Sequence, residues 1–372
     1  MRDAFKDQKR IVVKVGTSTL TYPNGKLNLE RIEALVRQIA DLQNRGKEML
    51  LVTSGAVGSG ANRLGWKEKP KTMPEKQALA AIGQGVLMHT YEKLFSEYNQ
   101  VVAQVLMTRE DIDERVKFLN MTSAFNAVLA LGAIPIINEN DTVAVHELKF
   151  GDNDTLSSMV AGLVTADLLI LLSDVEGLYT KDPRSNSDAE LISTVDEITA
   201  EMEGNSIQLG SAFSSGGMIT KLRAAKLCMS VGIPMVIANS DQPDVLRRIV
   251  AGENLGTVFV PKSEKLHARK KWIGFGKVPQ GVITVDAGCE KALLQQGKSL
   301  LASGITGCSG DFEFGSVVSI FNQDGREIAR GIAYYAYPEL TQIQGKQSKE
   351  VEAILGYKDY DEVVHRDNLY VM

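Results

Sequence analysis

Cysteine and histidine are both scarce in this chain. Cys228, Cys289 and Cys308 form no C-x-x-C pair, and an odd count of three excludes a full disulfide framework. Free thiols in a reducing cytoplasm are the simpler reading. With four histidines, no Ser–His or Cys–His arrangement stands out, so neither histidine catalysis nor a zinc site has a candidate. Long apolar runs are missing too. The run at residues 168–172 is strand-sized, and nothing approaches the length of a transmembrane helix. The opening MRDAFKDQKRIVVKVG holds only a three-residue apolar run before Lys14, too short for a signal-peptide core. There is no G-x-x-x-x-G-K-[ST] loop and no protein-kinase H-R-D motif, which removes P-loop nucleotidases and protein kinases. Internal repeats and low-complexity tracts are absent. A net charge of −5 gives no sign of a bulk nucleic-acid or membrane-surface binder.

What is present is an ordinary globular composition, 44% hydrophobic and 23% charged over 372 residues, which suits two domains. Up to about residue 257, short apolar runs alternate with amphipathic segments. Strands are predicted at 11–15, 49–53, 101–107, 134–137 (despite Pro135), 168–172 and 234–238. Helices are predicted at 29–42, with Asn28 as cap, at 77–98 and at 118–131, closed by Gly132. This pattern implies a doubly wound, mainly parallel sheet covered by helices on both faces. KSEKLHARKK at 262–271 holds five Lys or Arg against one Glu and reads as a linker, set at 262–279. Beyond it, short β segments at 281–285, 317–321 and 328–335, with a hairpin turn at NQDG (322–325), predict a small β-rich domain over 280–372.

Several strand ends carry chemistry. The first runs into Lys14-Val15-Gly16-Thr17-Ser18, offering backbone N–H groups and one cation to phosphates, although many strands simply end in Gly. The second runs into Thr53-Ser54-Gly55-Ala56-Val57-Gly58-Ser59-Gly60. It suits either close ligand approach or a tight strand-to-helix turn. Asn138-Glu139-Asn140-Asp141 and Gly151-Asp152-Asn153-Asp154 gather carboxylates and amides near one strand end. They could hold an ammonium group, orient lysines or ligate Mg²⁺; the plain alternative is Asx-turn chemistry. Ser173-Asp174 opens a Gly- and Pro-punctuated loop suited to a nucleotide base or ribose. Ser215-Gly216-Gly217-Met218-Ile219-Thr220-Lys221 opens a helix whose free N–H groups suit an anion, with Lys221 one turn in. Two lysines and Gly-rich turns can neutralise a polyphosphate. The pieces describe phosphoryl transfer.

In their order along the chain, VVKVGTS, LVTSGAVGSG, KQALAAIGQG, PIINENDTVA, FGDNDTLS, LLSDVEGLYTKDPRSN, SGGMITK and the closing VHRDN resemble the glutamate 5-kinases of the amino-acid kinase superfamily, in the two-domain form with a C-terminal PUA domain. The resemblance covers nearly the whole chain. It implies the amino-acid kinase fold and ATP-dependent phosphorylation of the L-glutamate γ-carboxylate, the first step of proline synthesis. It further implies that Lys14 and Lys221 contact the ATP phosphates, that Asp154 orients both, and that Gly16 and Gly55 offer N–H groups. Ser54, Asp141 and Asn153 would bind glutamate, with Asn138 and Asp152 close by. Ser173, Asp174 and the segment from Ser215 to Lys221 would line the nucleotide pocket, and Mg²⁺ would enter with ATP. The family commonly answers to L-proline and forms dimers or tetramers. Ser173 and Ser215 stand where threonine is familiar.

Rival readings are a superfamily kinase for acetylglutamate, aspartate, carbamate or UMP, and an RNA-binding protein acting through the PUA-like tail. The acidic cluster Asp141, Asp152, Asp154 favours a substrate with a free ammonium. The tail (281–372) holds eight Lys or Arg against thirteen Asp or Glu, which argues against an RNA reader.

Overall fold

The computed structural model describes the chain except for residues 23, 67, 69, 145–152, 182, 184, 201, 205–216 and 262–278. The described chain falls into two compact units, 1–264 and 265–372. The linker expected at 262–279 lies almost wholly outside the described residues.

In the first unit a 3-10 turn (Arg2–Asp7) leads into β1 (Arg10–Val15). One helical turn, α1 (Thr17–Leu20), precedes α2 (Leu29–Asn44), where the Asn28 side chain caps the helix by accepting from Arg31 N at 3.1 Å. β2 (Glu48–Val52) is followed by α3 (Ala56–Arg63) and α4 (Met73–Ser96). Helix α4 starts four residues before the expected position 77, because Thr72 and Glu75 close a capping box and Pro74 lies in the first turn. Then come β3 (Val102–Met107), α5 (Arg109–Asp113), α6 (Arg115–Ala130) and β4 (Ile134–Glu139). Pro135 fits in β4 because the ladder with β2 begins only at Ile136. The unit continues through α7 (Asn153–Leu163), β5 (Leu168–Ser173), β6 (Thr194–Val195), α8 (Met218–Ser230), β7 (Met235–Asn239), α9 (Val245–Val250) and β8 (Thr257–Phe259).

The eight strands lie in the order β3-β4-β2-β1-β5-β7-β8-β6. All pairs are parallel except β7 with β8. The expected parallel set therefore holds through β7 and reverses at β8, and the two short strands β8 and β6 were not anticipated. Strand β1 is central, and its side chains alternate between two cores. Ile11, Val13 and Val15 pack with Ile32, Leu35 and Ile39 of α2 and with Leu87, Tyr91 and Phe95 of α4. Val12 packs on the other face with Leu156 and Val160 of α7 and Leu222 and Ala225 of α8. Burial on both faces is why these strands read as unbroken apolar runs.

The second unit has a sheet ordered β10-β9-β11-β12-β13, built from β9 (Gly281–Val285), β10 (Ile305–Gly310), β11 (Val317–Phe321), β12 (Glu327–Ile332) and β13 (Leu369–Val371). The expected turn joins β11 to β12: Asn322 Oδ1 accepts from Asp324 N and Arg326 N, and Gly325 takes the left-handed φ of 75°. Strand β12 ends at Ile332, short of the expected 335. Three helices, α10 (Ala287–Gln296), α11 (Tyr337–Ile343) and α12 (Val351–Leu355), were not anticipated. Asp286, which caps α10 through Cys289 N at 2.7 Å, and Gly297 beyond its end were the available signals.

Helices α3 and α4 touch backbone to backbone. A methyl on Gly60 would stand 1.9 Å from Leu79 O, and one on Gly83 1.8 Å from Ala56 O. Gly60 thus serves this crossing, which fixes α4 beside the turn after β2. Gly83→Ala should force the helices apart and destabilise the fold by about 1–3 kcal/mol in chemical denaturation. Gly85→Ala on the open side of α4, with nothing within 4 Å, is the control. It should gain up to about 1 kcal/mol from helix propensity.

Candidate active site

The strand ends of β1, β2 and β4 bring most of the polar residues together. Period-two alternation sends Lys14 to the same face as Val12, toward α7 and α8. Asp154, in the first turn of α7, meets it there. Lys14 Nζ donates to Asp154 Oδ1 at 2.5 Å, and Lys221 Nζ, from the first turn of α8, donates to Asp154 Oδ2 at 3.3 Å. Thr220 Oγ1 lies 2.7 Å from Asp154 Oδ2 and 2.7 Å from Gly217 O, so its one proton serves two acceptors. All four side chains are buried, Asp154 to 1% exposure. Burial alone would push the Asp154 carboxyl up. The charges of Lys14 and Lys221 and the hydrogen bonds from Lys14 and Thr220 outweigh it and hold the carboxyl far below the usual range.

Backbone donors surround this trio. A methyl on Gly16 would lie 3.7 Å from Lys14 Nζ, so the turn passes close beside the ammonium. Gly55 has φ 93° and opens α3, and a methyl there would lie 3.9 Å from the Thr17 methyl, so the two glycine turns face each other. Gly217 caps α8 without a side-chain bond, leaving Met218 and Ile219 to present first-turn N–H groups.

A second group is made of amides. Asn153 Nδ2 lies 2.7 Å from Thr53 O, 2.9 Å from Ser54 Oγ and 3.0 Å from Asn138 Oδ1. Asn138 Nδ2 donates to Gln84 Oε1 of α4 at 2.8 Å, and Thr53 Oγ1 meets Tyr91 OH of the same helix at 2.8 Å. Asp141 follows β4, half-buried, with no hydrogen bond or ion pair to any described residue. Burial pushes its carboxyl up to about 6.

Ser173 ends β5, and its Oγ donates to Asp174 Oδ1 at 3.0 Å. The loop beyond is partly structural. Leu178 is buried, its N–H bonds Thr257 Oγ1 at 2.7 Å, and a methyl on Gly177 would come within 2.4 Å of that hydroxyl. Asp152, Ser215 and Gly216 lie outside the described residues. A cavity of about 690 Å³ between α2 and the turn after β7 is lined by none of the site residues. Its Arg31 is paired with Asp241 at 2.7 Å.

Two family profiles fit the chain: Amino acid kinase family over residues 9–239 and PUA domain over 281–355. Glutamate 5-kinase of Moorella thermoacetica is 53% identical over 371 residues, 100% of this chain and 98% of that protein. Glutamate 5-kinase of Caldanaerobacter subterraneus subsp. tengcongensis is 53% identical, covering 98% of each, and that of Carboxydothermus hydrogenoformans 52%, covering 100% of each. The chain belongs to the glutamate 5-kinases of the amino acid kinase family. Among the described residues no helix is long and apolar enough to cross a membrane.

Of the residues singled out by the glutamate 5-kinase resemblance, Lys14, Asp154, Thr220 and Lys221 form one contact group, and Ser54, Asn138 and Asn153 another. Gly16 borders the first, and Gly55 lies against Thr17 of the turn beyond it. Ser173 and Asp174 bond each other, and no described contact joins them to either group. Sequence reasoning missed Gln84 and Tyr91, which reach the site from a helix that reads as plain core. Their spacing of seven was the available signal.

Asp154→Asn should cost about 3–5 kcal/mol in denaturant unfolding, because two buried ammonium groups lose their common counterion. The depressed carboxyl sets the sign of the pH dependence. The advantage of the wild type is fully present above the ordinary carboxylate value and fades as pH falls below it.

Proposed function

We propose that this glutamate 5-kinase transfers the γ-phosphoryl group of ATP to the γ-carboxylate of L-glutamate, giving L-glutamate 5-phosphate and ADP as the first step of proline biosynthesis. The observation that carries the reading is Asp154 clamped between Lys14 and Lys221. One carboxylate holds two ammonium groups in place, and the Gly16 turn passes beside one of them. That suits a phosphoryl group in transit.

The acceptor carboxylate has an ordinary pKa of about 4.3 and is already ionised at neutral pH. It attacks phosphorus while the bond to the ADP oxygen breaks. No proton moves, so no general base is required. The chain's task is to bring two anions together and align them. In this reading Lys14 and Lys221 hold the phosphates, Asp154 orients both lysines, and the N–H groups of Gly16, Gly55 and the α8 start add donors. Ser173, Asp174 and the segment from Ser215 to Lys221 take the nucleotide.

No group of three or more His, Cys, Asp or Glu among the described residues is placed to hold a metal. Asp154 is committed to the lysines. In this reading Mg²⁺ enters with ATP, where it would neutralise charge on the phosphate oxygens.

Ser54, Asn138, Asp141, Asp152 and Asn153 take glutamate. Asp141 is a carboxylate without a described cation, and a substrate ammonium supplies one. Acetylation of the amine would remove that partner, which separates glutamate from N-acetylglutamate. Proline keeps the ammonium and α-carboxylate and suits the same residues as an inhibitor.

With ATP, Mg²⁺ and hydroxylamine, glutamate should yield the acyl-hydroxamate and N-acetylglutamate and aspartate should not. Product from N-acetylglutamate alone would sink the reading. Lys14→Ala and Lys221→Ala should each lower kcat by about 10²–10³-fold, as loss of one preorganised donor does. Near-normal turnover in both variants removes the assigned roles. Because Asp141 binds a cation only when ionised, the KM for glutamate should rise as pH falls through about 6. A glutamate KM that is flat from pH 8 to pH 5 (about two units above and one below) excludes Asp141 as the ammonium partner.

A further inference from the structure

Helix α4 carries Gln77, Gln84 and Tyr91 at intervals of seven, hence on one face. Each bonds a segment at the carboxyl end of a strand. Gln77 Nε2 donates to Thr142 O at 3.2 Å, Gln84 Oε1 accepts from Asn138 Nδ2 at 2.8 Å, and Tyr91 OH meets Thr53 Oγ1 at 2.8 Å. The middle member is 8% exposed.

Two backbone groups fix the polarity of the whole amide chain. Glu139 N–H can only donate, so the Asn138 atom it meets at 3.0 Å is the oxygen. The other Asn138 atom is then nitrogen, and the Gln84 atom facing it must be oxygen. At the far end, Thr53 O can only accept, so the Asn153 atom 2.7 Å away is nitrogen. The order Thr53 O, Asn153, Asn138, Gln84 therefore has one self-consistent orientation. It leaves two loose ends. Asn153 Oδ1 has no partner among the described residues. Gln84 Nε2 is fully buried with no partner among the described residues. A glutamine kept only for packing would have no reason to carry a buried unpaired donor, since methionine fills the same volume without one.

We propose that Gln84 is a positioning residue for the acceptor amino acid. By accepting from Asn138 Nδ2 it holds the Asn138 side chain against Asn153, whose polarity, set by Thr53 O, offers Oδ1 to the substrate ammonium. Without it, Asn138 would keep a buried unpaired N–H. Turning the Asn138 amide over would set nitrogen against Glu139 N–H and Asn153 Nδ2. Either outcome disturbs Asn153 and Ser54 and leaves the lysine trio alone. This inference rests on the glutamate kinase reading.

The test compares wild type, Gln84→Met and Gln84→Glu in the hydroxamate assay, with thermal unfolding alongside. Gln84→Met removes the acceptor at constant length and should raise the KM for glutamate about 10- to 100-fold, leaving the KM for ATP within about two-fold. Gln84→Glu keeps an oxygen in place and should restore most of the glutamate affinity. If Gln84→Met does not fold, Gln84→Asn withdraws the acceptor by one methylene and should show the same one-sided rise. A lowered unfolding midpoint with neither KM moved, or both moved equally, reduces Gln84 to packing and overturns the proposal. Wild type inactive on glutamate overturns the functional reading and the Gln84 role together, whereas an active wild type with an unmoved KM overturns the Gln84 role alone.

Discussion

Asp154 buried between Lys14 and Lys221 is the contact on which the rest of this structure depends. Taking a carboxylate and two ammonium groups out of water is expensive, and well-packed apolar side chains in their place would serve stability as well or better. The trio is explained by what it positions. Two lysines stand close together in a fixed geometry on one shared carboxylate. A free pair of lysines would repel and splay, and the shared carboxylate holds both in place.

The fold is arranged to make that contact. Strand β1 lies in the middle of the sheet, where parallel neighbours on both sides fix its register. Lys14 must then emerge on the α7 and α8 face. Asp154 and Lys221 sit in the first turns of those two helices, so helix packing sets their separation. The opposite face does a different job. There α4, pressed against α3 at Gly60 and Gly83, reaches the ends of β2 and β4 through Tyr91 and Gln84. Ionic contacts are built on the α7 and α8 side of the sheet, and the amide contacts run from Asn153 of α7 to Gln84 of α4 on the other, across the carboxyl ends of adjacent strands, where open α/β sheets bind ligands.

How much of this was legible depended on whether the signal was local. Buried parallel strands such as 11–15 and 168–172 declare themselves as apolar runs, and Asn28 announces the start of α2. The start of α4 was misplaced because its capping box at Thr72 and Glu75 is a short polar signature ahead of the apolar pattern. Strands β6 and β8 hold two and three residues, too few for any periodicity, and their pairing is a tertiary matter. In the second unit β9, β11 and β12 were legible, whereas β10, β13 and the three helices were not, the helices being short with only a brief apolar face. Within the site, the glycine turns and lysines could be picked out as phosphate-binding elements from residue type. That Asp154 is the shared counterion could not, because 140 positions separate it from Lys14. The family resemblance supplied that pairing. Gln84 and Tyr91 were given no role because each looks like an isolated polar residue on a core helix, and their spacing of seven went unused.

The contrast between the two halves of the site bears on how the chain would handle two anions at once. Full charges cluster where phosphate is expected, and neutral amides where the amino acid is expected. A zwitterion presents an ammonium and a carboxylate a few ångströms apart, and an amide can serve either end, donating from nitrogen and accepting at oxygen. Charged groups in the same place would favour one end and strain the other. Neutral amides, however, read their ligand only if their own orientation is settled, because a flipped amide exchanges donor for acceptor. The backbone N–H of Glu139 and the carbonyl of Thr53 settle it here, with Gln84 closing the chain at its buried end. Selectivity for a free amino acid then falls to the few groups outside that locked set. Asp141 belongs to them: burial raises its carboxyl, and no described cation offsets it. In the proposed reading a substrate ammonium balances that charge.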